Sequence, residues 1–189
     1  HTWERATAAD GVARVLVAAD DERIAAAARG FGAEVVMTAA SHPNGTSRIA
    51  EVVRGLGDAC PPVVVNVQGD EPELDPSFVT RAAERLARDP DVDVATLACP
   101  LTDPRDRLDP AVVKVVLDRA GRALYFSRAA IPHDRDGSGA AESLRHVGLY
   151  AYRPAFLLAY ADLAPTPLER AERLEQLRVL EHGRRIAVD

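Results

Sequence analysis

Val63–Pro72 reads VVVNVQGDEP, and this stretch decides the fold. Val63–Val67 is short, β-branched and almost wholly apolar, as a strand must be if helices cover both faces of its sheet. The apolar run stops at once, and Gln68, Gly69, Asp70, Glu71 and Pro72 follow. Open α/β sheets bind ligands outside the carboxyl ends of their strands. Two carboxylates there, beside a glycine that lets a ligand approach the backbone, suit a divalent cation and a phosphate ester. A polar turn leading into a helix that Asp75 and Pro76 begin is the alternative reading.

The neighbouring segments alternate strand and helix. Ala13–Ala18 is expected as a strand, Asp21–Phe31 as an Ala-rich helix closed by Gly32, and Glu34–Met37 as a second strand. Thr46–Leu56 is expected as a helix capped at Thr46 or Ser47, Ser77–Arg88 as the next helix, and Val92–Ala98 as a strand. Such alternation implies βαβ units and a doubly wound, mostly parallel sheet, an α/β fold. The pattern then changes. Val112–Asp118 and Ala123–Ser127 read as a hairpin, Asp134–Glu142 as a polar loop, Val147–Tyr152 as a strand, and Thr166 to about His182 as one helix. The chain is thus expected to be a single domain, residues 1–189, with a small antiparallel subdomain inserted at about 110–153.

Composition sets the outer bounds. The chain has 189 residues, 47% hydrophobic and 28% charged, with a net charge of −6. That balance argues against nucleic-acid binding, which needs a basic face. Cys60 and Cys99 show no CxxC spacing, and the five histidines form no HExxH or HxxxH pair, so no zinc site is expected. No apolar run is long enough to span a bilayer and no signal peptide opens the chain, so no membrane partner is expected. His1–Ala6 reads as the middle of a helix and Arg185–Asp189 as a strand, so the sequence is expected to be part of a longer chain.

Five strings say more together than apart: HPNGTSR (His42–Arg48), VVNVQGDEP (Val64–Pro72), VVKVVLD with ALYFSRAAIPHDR (Val112–Arg135), RHVGLYAYR (Arg145–Arg153) and TPLERAERLEQLRVLEHG (Thr166–Gly183). Their order and content resemble the 3-deoxy-manno-octulosonate (Kdo) cytidylyltransferase family, the CMP-Kdo synthetases. The resemblance implies a nucleotide-diphospho-sugar transferase-like fold and a reaction joining CTP and Kdo to give CMP-Kdo and pyrophosphate. It implies Asp70 as the catalytic Mg²⁺ ligand. It implies Gly45, Thr46, Arg48 and Gln68 at the nucleotide, and Arg128, Arg135, His146, Tyr150, Glu175 and Gln176 at the sugar. It further implies a cytoplasmic homodimer in bacterial lipopolysaccharide synthesis, with the Val112–Ser127 hairpin near the interface.

The family also carries a triphosphate-binding loop and a late segment with a second metal-binding Asp. Neither is found in these residues, so residues 1–189 alone are expected to turn over weakly. His133 departs from the family, which usually has an aromatic ring there. Transfer to another acidic sugar (8-amino-Kdo or sialic acid), or a non-catalytic nucleotide- or sugar-binding module, are the alternatives. Residue by residue the ordinary readings also stand: Thr46 as a helix start, Arg128 and Arg135 as surface arginines, His146 and Tyr150 as a core pair on one strand face, and Glu175 as a solvated helix residue.

Overall fold

A computed structural model describes residues 1–139 and 142–189. The first helix, α1 (Thr2–Thr7), is followed by β1 (Leu16–Ala19), α2 (Glu22–Gly30), β2 (Glu34–Met37), α3 (Gly45–Leu56), β3 (Val64–Asn66), α4 (Pro76–Arg88) and β4 (Val94–Pro100). Then come α5 (Pro104–Leu108), β5 (Lys114–Leu117), β6 (Ala123–Ser127), β7 (Leu144–Tyr152), α6 (Pro154–Tyr160), α7 (Pro167–Glu172), α8 (Gln176–Glu181) and β8 (Ile186–Val188).

Local chemistry explains most boundaries. Asp75 accepts from Ser77 N–H at 2.9 Å, and Pro76 opens α4 as the sequence predicts. At the end of α2, Ala33 N–H reaches Ala28 O and Gly32 N–H reaches Arg29 O, with Gly32 at φ +88°. That Schellman geometry needs a left-handed residue, which glycine adopts without strain. The cap of α3 differs from expectation. It is Asn44, whose side chain accepts from Ser47 N–H at 2.9 Å, and not Thr46 or Ser47. Thr46 is thereby left free to face inward.

Four of the six strands in the large sheet (β3, β4, β5 and β8) run the same way, and β6 and β7 run against them. The mostly parallel sense is kept, but the neighbours differ from a simple βαβ array. β3 pairs with β7, antiparallel, through Val64–Tyr152 and Asn66–Tyr150. β1 and β2 form a separate parallel pair. β3 is also less covered than its sequence suggests: Val64 and Val65 are half-buried and only Asn66 is fully buried.

Alternating residues feed a core on each face of the sheet. Val94, Tyr152 and Ile186 pack with Val53 of α3, Phe156, Leu157 and Tyr160 of α6, and Leu177 and Val179 of α8. Ala95, Ala151 and Ala187 pack on the other face with Val79, Ala82 and Leu86 of α4. Helices on both faces are what doubly wound means.

Three departures lie in the helices. Helices α5 and α6 were not expected, yet each opens with proline, at Asp103-Pro104 and Arg153-Pro154. The single helix expected from Thr166 breaks in two at Arg173, which sits in left-handed space at φ +53°. Ser127, at the end of β6, and Arg128 after it hold the break. Glu172 accepts from Ser127 Oγ at 2.6 Å and from Arg128 N–H at 2.9 Å, while Arg128 Nε donates to Glu172 O at 2.8 Å. In the loop at 134–142, Asp134 accepts from Gly139 N–H at 2.7 Å; Ala140 and Ala141 lie outside the described residues.

Lys114 is wholly buried in β5. Its Nζ donates to the carbonyls of Asp109, Val112 and Arg128 at 2.9, 2.6 and 2.6 Å, so all three N–H groups are used. Burial pushes its pKa down. Lys114→Met is expected to cost about 2–4 kcal/mol, because three carbonyls lose their donor in a dry site. A urea midpoint that falls accordingly is the check; an unchanged midpoint contradicts it.

Candidate active site

The long strand β7 is the floor of the site. Along one edge it pairs with β5 at Leu144 and Arg145 and with β3 at Tyr150 to Tyr152. Between these partners a cavity of about 260 Å³ opens. That is below the roughly 300–1,000 Å³ of pockets that engulf a drug-sized ligand, and leaves room for one part of a large substrate. His146, Tyr150 and Tyr152 line it from β7, Thr46 from α3, Asn66 and Gln68 from β3 and its exit, and Tyr160 from α6. The broken helix supplies Arg173, Glu175 and Gln176. A continuous helix would keep Arg173 and Gln176 on one face but turn Glu175 to the side opposite Arg173.

The lining is tied together across long sequence distances. Thr46 Oγ1 donates to Glu175 Oε2 at 2.9 Å. The same oxygen lies 3.4 Å from the Tyr152 hydroxyl, which must then be the donor in that contact. Aromatic rings form a row from Phe126 through His146, Tyr150 and Tyr152 to Phe156, with centroids 5.0–6.4 Å apart. Burial pushes the Tyr150, Tyr152 and Tyr160 hydroxyls up, so they stay protonated. Burial also pushes the Glu175 carboxyl up, against the hydrogen bond from Thr46. His146 is driven down to about 3 by burial and is neutral at neutral pH. It is therefore a poor general base.

The structure gathers Thr46, Gln68, His146, Tyr150, Glu175 and Gln176 in one lining, and a Cβ built on Gly45 would stand 3.6 Å from Gln68 Nε2. The other candidates stand apart. Arg48 donates to Thr38 Oγ1 and Asp20 Oδ2, both at 2.6 Å, and ties α3 to the ends of β1 and β2. Arg128 donates to the carbonyls of Glu172 and Pro110. Arg135 is on the exposed loop beside Asp136. Asp70 and Glu71 are exposed just beyond β3, and among the described residues no group of three or more His, Cys, Asp or Glu is placed to hold a metal. Asn66, Tyr152, Tyr160 and Arg173 were not expected in the site. Tyr152 was within reach of sequence reasoning, being two residues from Tyr150 on the same strand face.

A profile described as Cytidylyltransferase matches residues 1–186. A 3-deoxy-manno-octulosonate cytidylyltransferase of Halorhodospira halophila is 54% identical over all of this chain and 76% of its own length. This chain belongs to that family. The enzyme of the same name from Solibacter usitatus is 50% identical, again over the whole chain and 73% of its own length. A CMP:2-keto-3-deoxy-manno-octonic acid synthetase solved in complex with CTP superimposes with a TM-score of 0.92 at 39% identity, covering 99% of this chain and 76% of that one. This cytidylyltransferase family member is a nucleotidyltransferase and spans about three quarters of the relatives it matches. Among the described residues no helix is long and apolar enough to cross a membrane.

Proposed function

We infer that the chain transfers the cytidylyl group of CTP to Kdo, giving CMP-Kdo and pyrophosphate. The observation that carries the reading is the 54% identity to a Kdo cytidylyltransferase across the entire chain. The anomeric hydroxyl oxygen of Kdo forms a bond to the α-phosphorus of CTP, the bond from that phosphorus to the β-phosphate oxygen breaks, and pyrophosphate leaves with its electron pair. The hydroxyl proton is released to solvent or pyrophosphate. Catalysis of this kind is mostly positioning and charge neutralisation.

The lining suits a polyhydroxylated acid. Tyr150 and Tyr160 offer hydroxyl donors, Gln176 both donates and accepts, and Glu175 accepts. The sugar carboxylate needs a cation. Arg128 and Arg135 are the two that the family resemblance assigns. Arg128 would have to give up carbonyl bonds to reach it, whereas Arg173 is exposed, makes no side-chain hydrogen bond to a described residue and lines the cavity. Gly45, Thr46 and Gln68 meet at the start of α3, beside the sugar groups, and suit the base and ribose.

Asp70 fits a Mg²⁺ ion. Two exposed carboxylates are too few for a closed metal site, but Mg²⁺ takes one or two carboxylates and fills its other positions with phosphate oxygens and water. Asp70 would hold it, with Glu71 beside it; when bound, the ion supplies charge neutralisation at the phosphates. A cytoplasmic homodimer completes the reading. Leu124 of β6, 62% exposed, is an apolar foothold on the hairpin for the partner.

The test is pyrophosphate release by the complete protein with CTP and Mg²⁺, with Kdo, 8-amino-Kdo and sialic acid as separate acceptors. Kdo is expected to give kcat/KM at least about tenfold above the others, since a site that bonds particular hydroxyls rejects analogues lacking them. Preference for another acid sugar, or CTP binding with no release, would contradict it.

A further inference from the structure

Thr96 lies in the middle of β4, wholly buried, where pairing with β7 slips. Thr96 faces Tyr150 and Leu97 faces Val147, so Gly148 and Leu149 have no partner on β4. At the slip Thr96 Oγ1 is 2.7 Å from Leu149 O, 3.1 Å from Val147 O and 2.9 Å from His146 Nε2.

A threonine hydroxyl carries a single proton, and carbonyl oxygens only accept. Were that proton given to His146, two carbonyls would face a buried oxygen with lone pairs alone. The proton therefore goes to a carbonyl, Leu149 being the nearer. Oγ1 is then an acceptor toward the ring, and His146 Nε2 must carry the hydrogen. A neutral imidazole has only one N–H, so Nδ1 is a bare acceptor. Nδ1 makes no hydrogen bond to a described residue, and His146 lines the cavity. Phe126, edge-on at 5.0 Å, and Tyr150 at 5.4 Å hold the ring plane.

We propose that Thr96 is a positioning residue: it fixes the Nε2–H form of His146, so that Nδ1 stands as a permanent acceptor for one hydroxyl of the acid sugar. The identity of the sugar rests on the Kdo reading above; the tautomer does not. With Nδ1 protonated instead, a bare Nε2 would face Thr96 Oγ1, whose proton is committed to Leu149 O, and one buried pair would be lost.

Long-range ¹⁵N–¹H NMR of the histidine rings in the complete protein tests the tautomer without substrate. Native protein is expected to show the Nε2–H pattern for His146 between pH 6 and 8. Thr96→Ser keeps the hydroxyl and is expected to preserve that pattern and the KM for Kdo within about threefold. Thr96→Val keeps the shape but is expected to mix the tautomers and raise the KM for Kdo about tenfold or more, with the KM for CTP nearly unmoved. An Nδ1–H pattern in the native protein overturns the proposal, as do equal rises in both KM values or a Thr96→Val variant that matches native protein. If Thr96→Val does not fold, the native spectrum decides alone. A protein that ignores Kdo would overturn the functional reading and leave the ring spectrum to stand.

Discussion

Asp70→Asn in the complete protein is expected to lower Kdo-dependent pyrophosphate release about 100- to 1,000-fold, the scale on which removal of one charge-stabilising group acts at a transition state. Stability is expected to hold within about 0.5 kcal/mol. The two readouts separate because the Asp70 carboxylate is exposed and makes no hydrogen bond to a described residue. Its position is fixed by the turn that ends β3, where Glu71 N–H reaches Gln68 O at 3.3 Å, and not by its own side chain. The amide keeps the size and loses the charge that Mg²⁺ requires. A variant that retains turnover within a few-fold at saturating Mg²⁺ would remove Asp70 from the metal.

The second large effect is on folding. Arg178 and Glu169 form a two-pronged pair, Nε to Oε2 at 2.8 Å and Nη2 to Oε1 at 2.5 Å, with side chains only 10% and 12% exposed. The guanidinium also lies 4.9 Å from the centre of the Tyr160 ring. Burial alone would push the Glu169 carboxyl up, but Arg178 pulls it below its usual range. Arg178→Met leaves that carboxylate buried without its partner, which is expected to cost about 3–5 kcal/mol. Adding Glu169→Gln removes the stranded charge and is expected to recover a substantial part. Urea unfolding of the two variants checks this; equal losses in the single and the double variant would show that packing, not charge, holds α7 against α8.

What the sequence revealed, and what it hid, follows from the range of the interactions. Asp75-Pro76 and Gly32 act within a few residues, so the α4 start and the α2 end were legible. The same proline signal stands at Asp103-Pro104 and Arg153-Pro154, but helices of 5 and 7 residues span too few turns to show a spacing of their own. The break at Arg173 could not be read locally, since Thr166–His182 has sound helical spacing and a capping sequence. It is made by Ser127 and Arg128, more than forty residues away along the chain.

The site divides in the same way. His146 and Tyr150 share a strand face by simple alternation, and Thr46 and Glu175 came from motif resemblance. Their hydrogen bond joins positions 129 residues apart. Arg48 and Arg128 show the opposite case: an arginine in a motif says nothing about which acceptor it will find. Here one finds Asp20 and Thr38, the other backbone carbonyls. Tertiary placement also explains the antiparallel partner of β3, because an apolar run carries no information on the direction of its neighbour.

If this family member joins a cytidylyl group to Kdo, a new phosphodiester must form. Phosphorus NMR of the complete protein with CTP, Mg²⁺ and Kdo would detect that bond. One phosphodiester signal from CMP-Kdo is expected, growing in step with pyrophosphate as the CTP signals fade. CTP left intact, or converted to CMP and pyrophosphate without the phosphodiester, would contradict it.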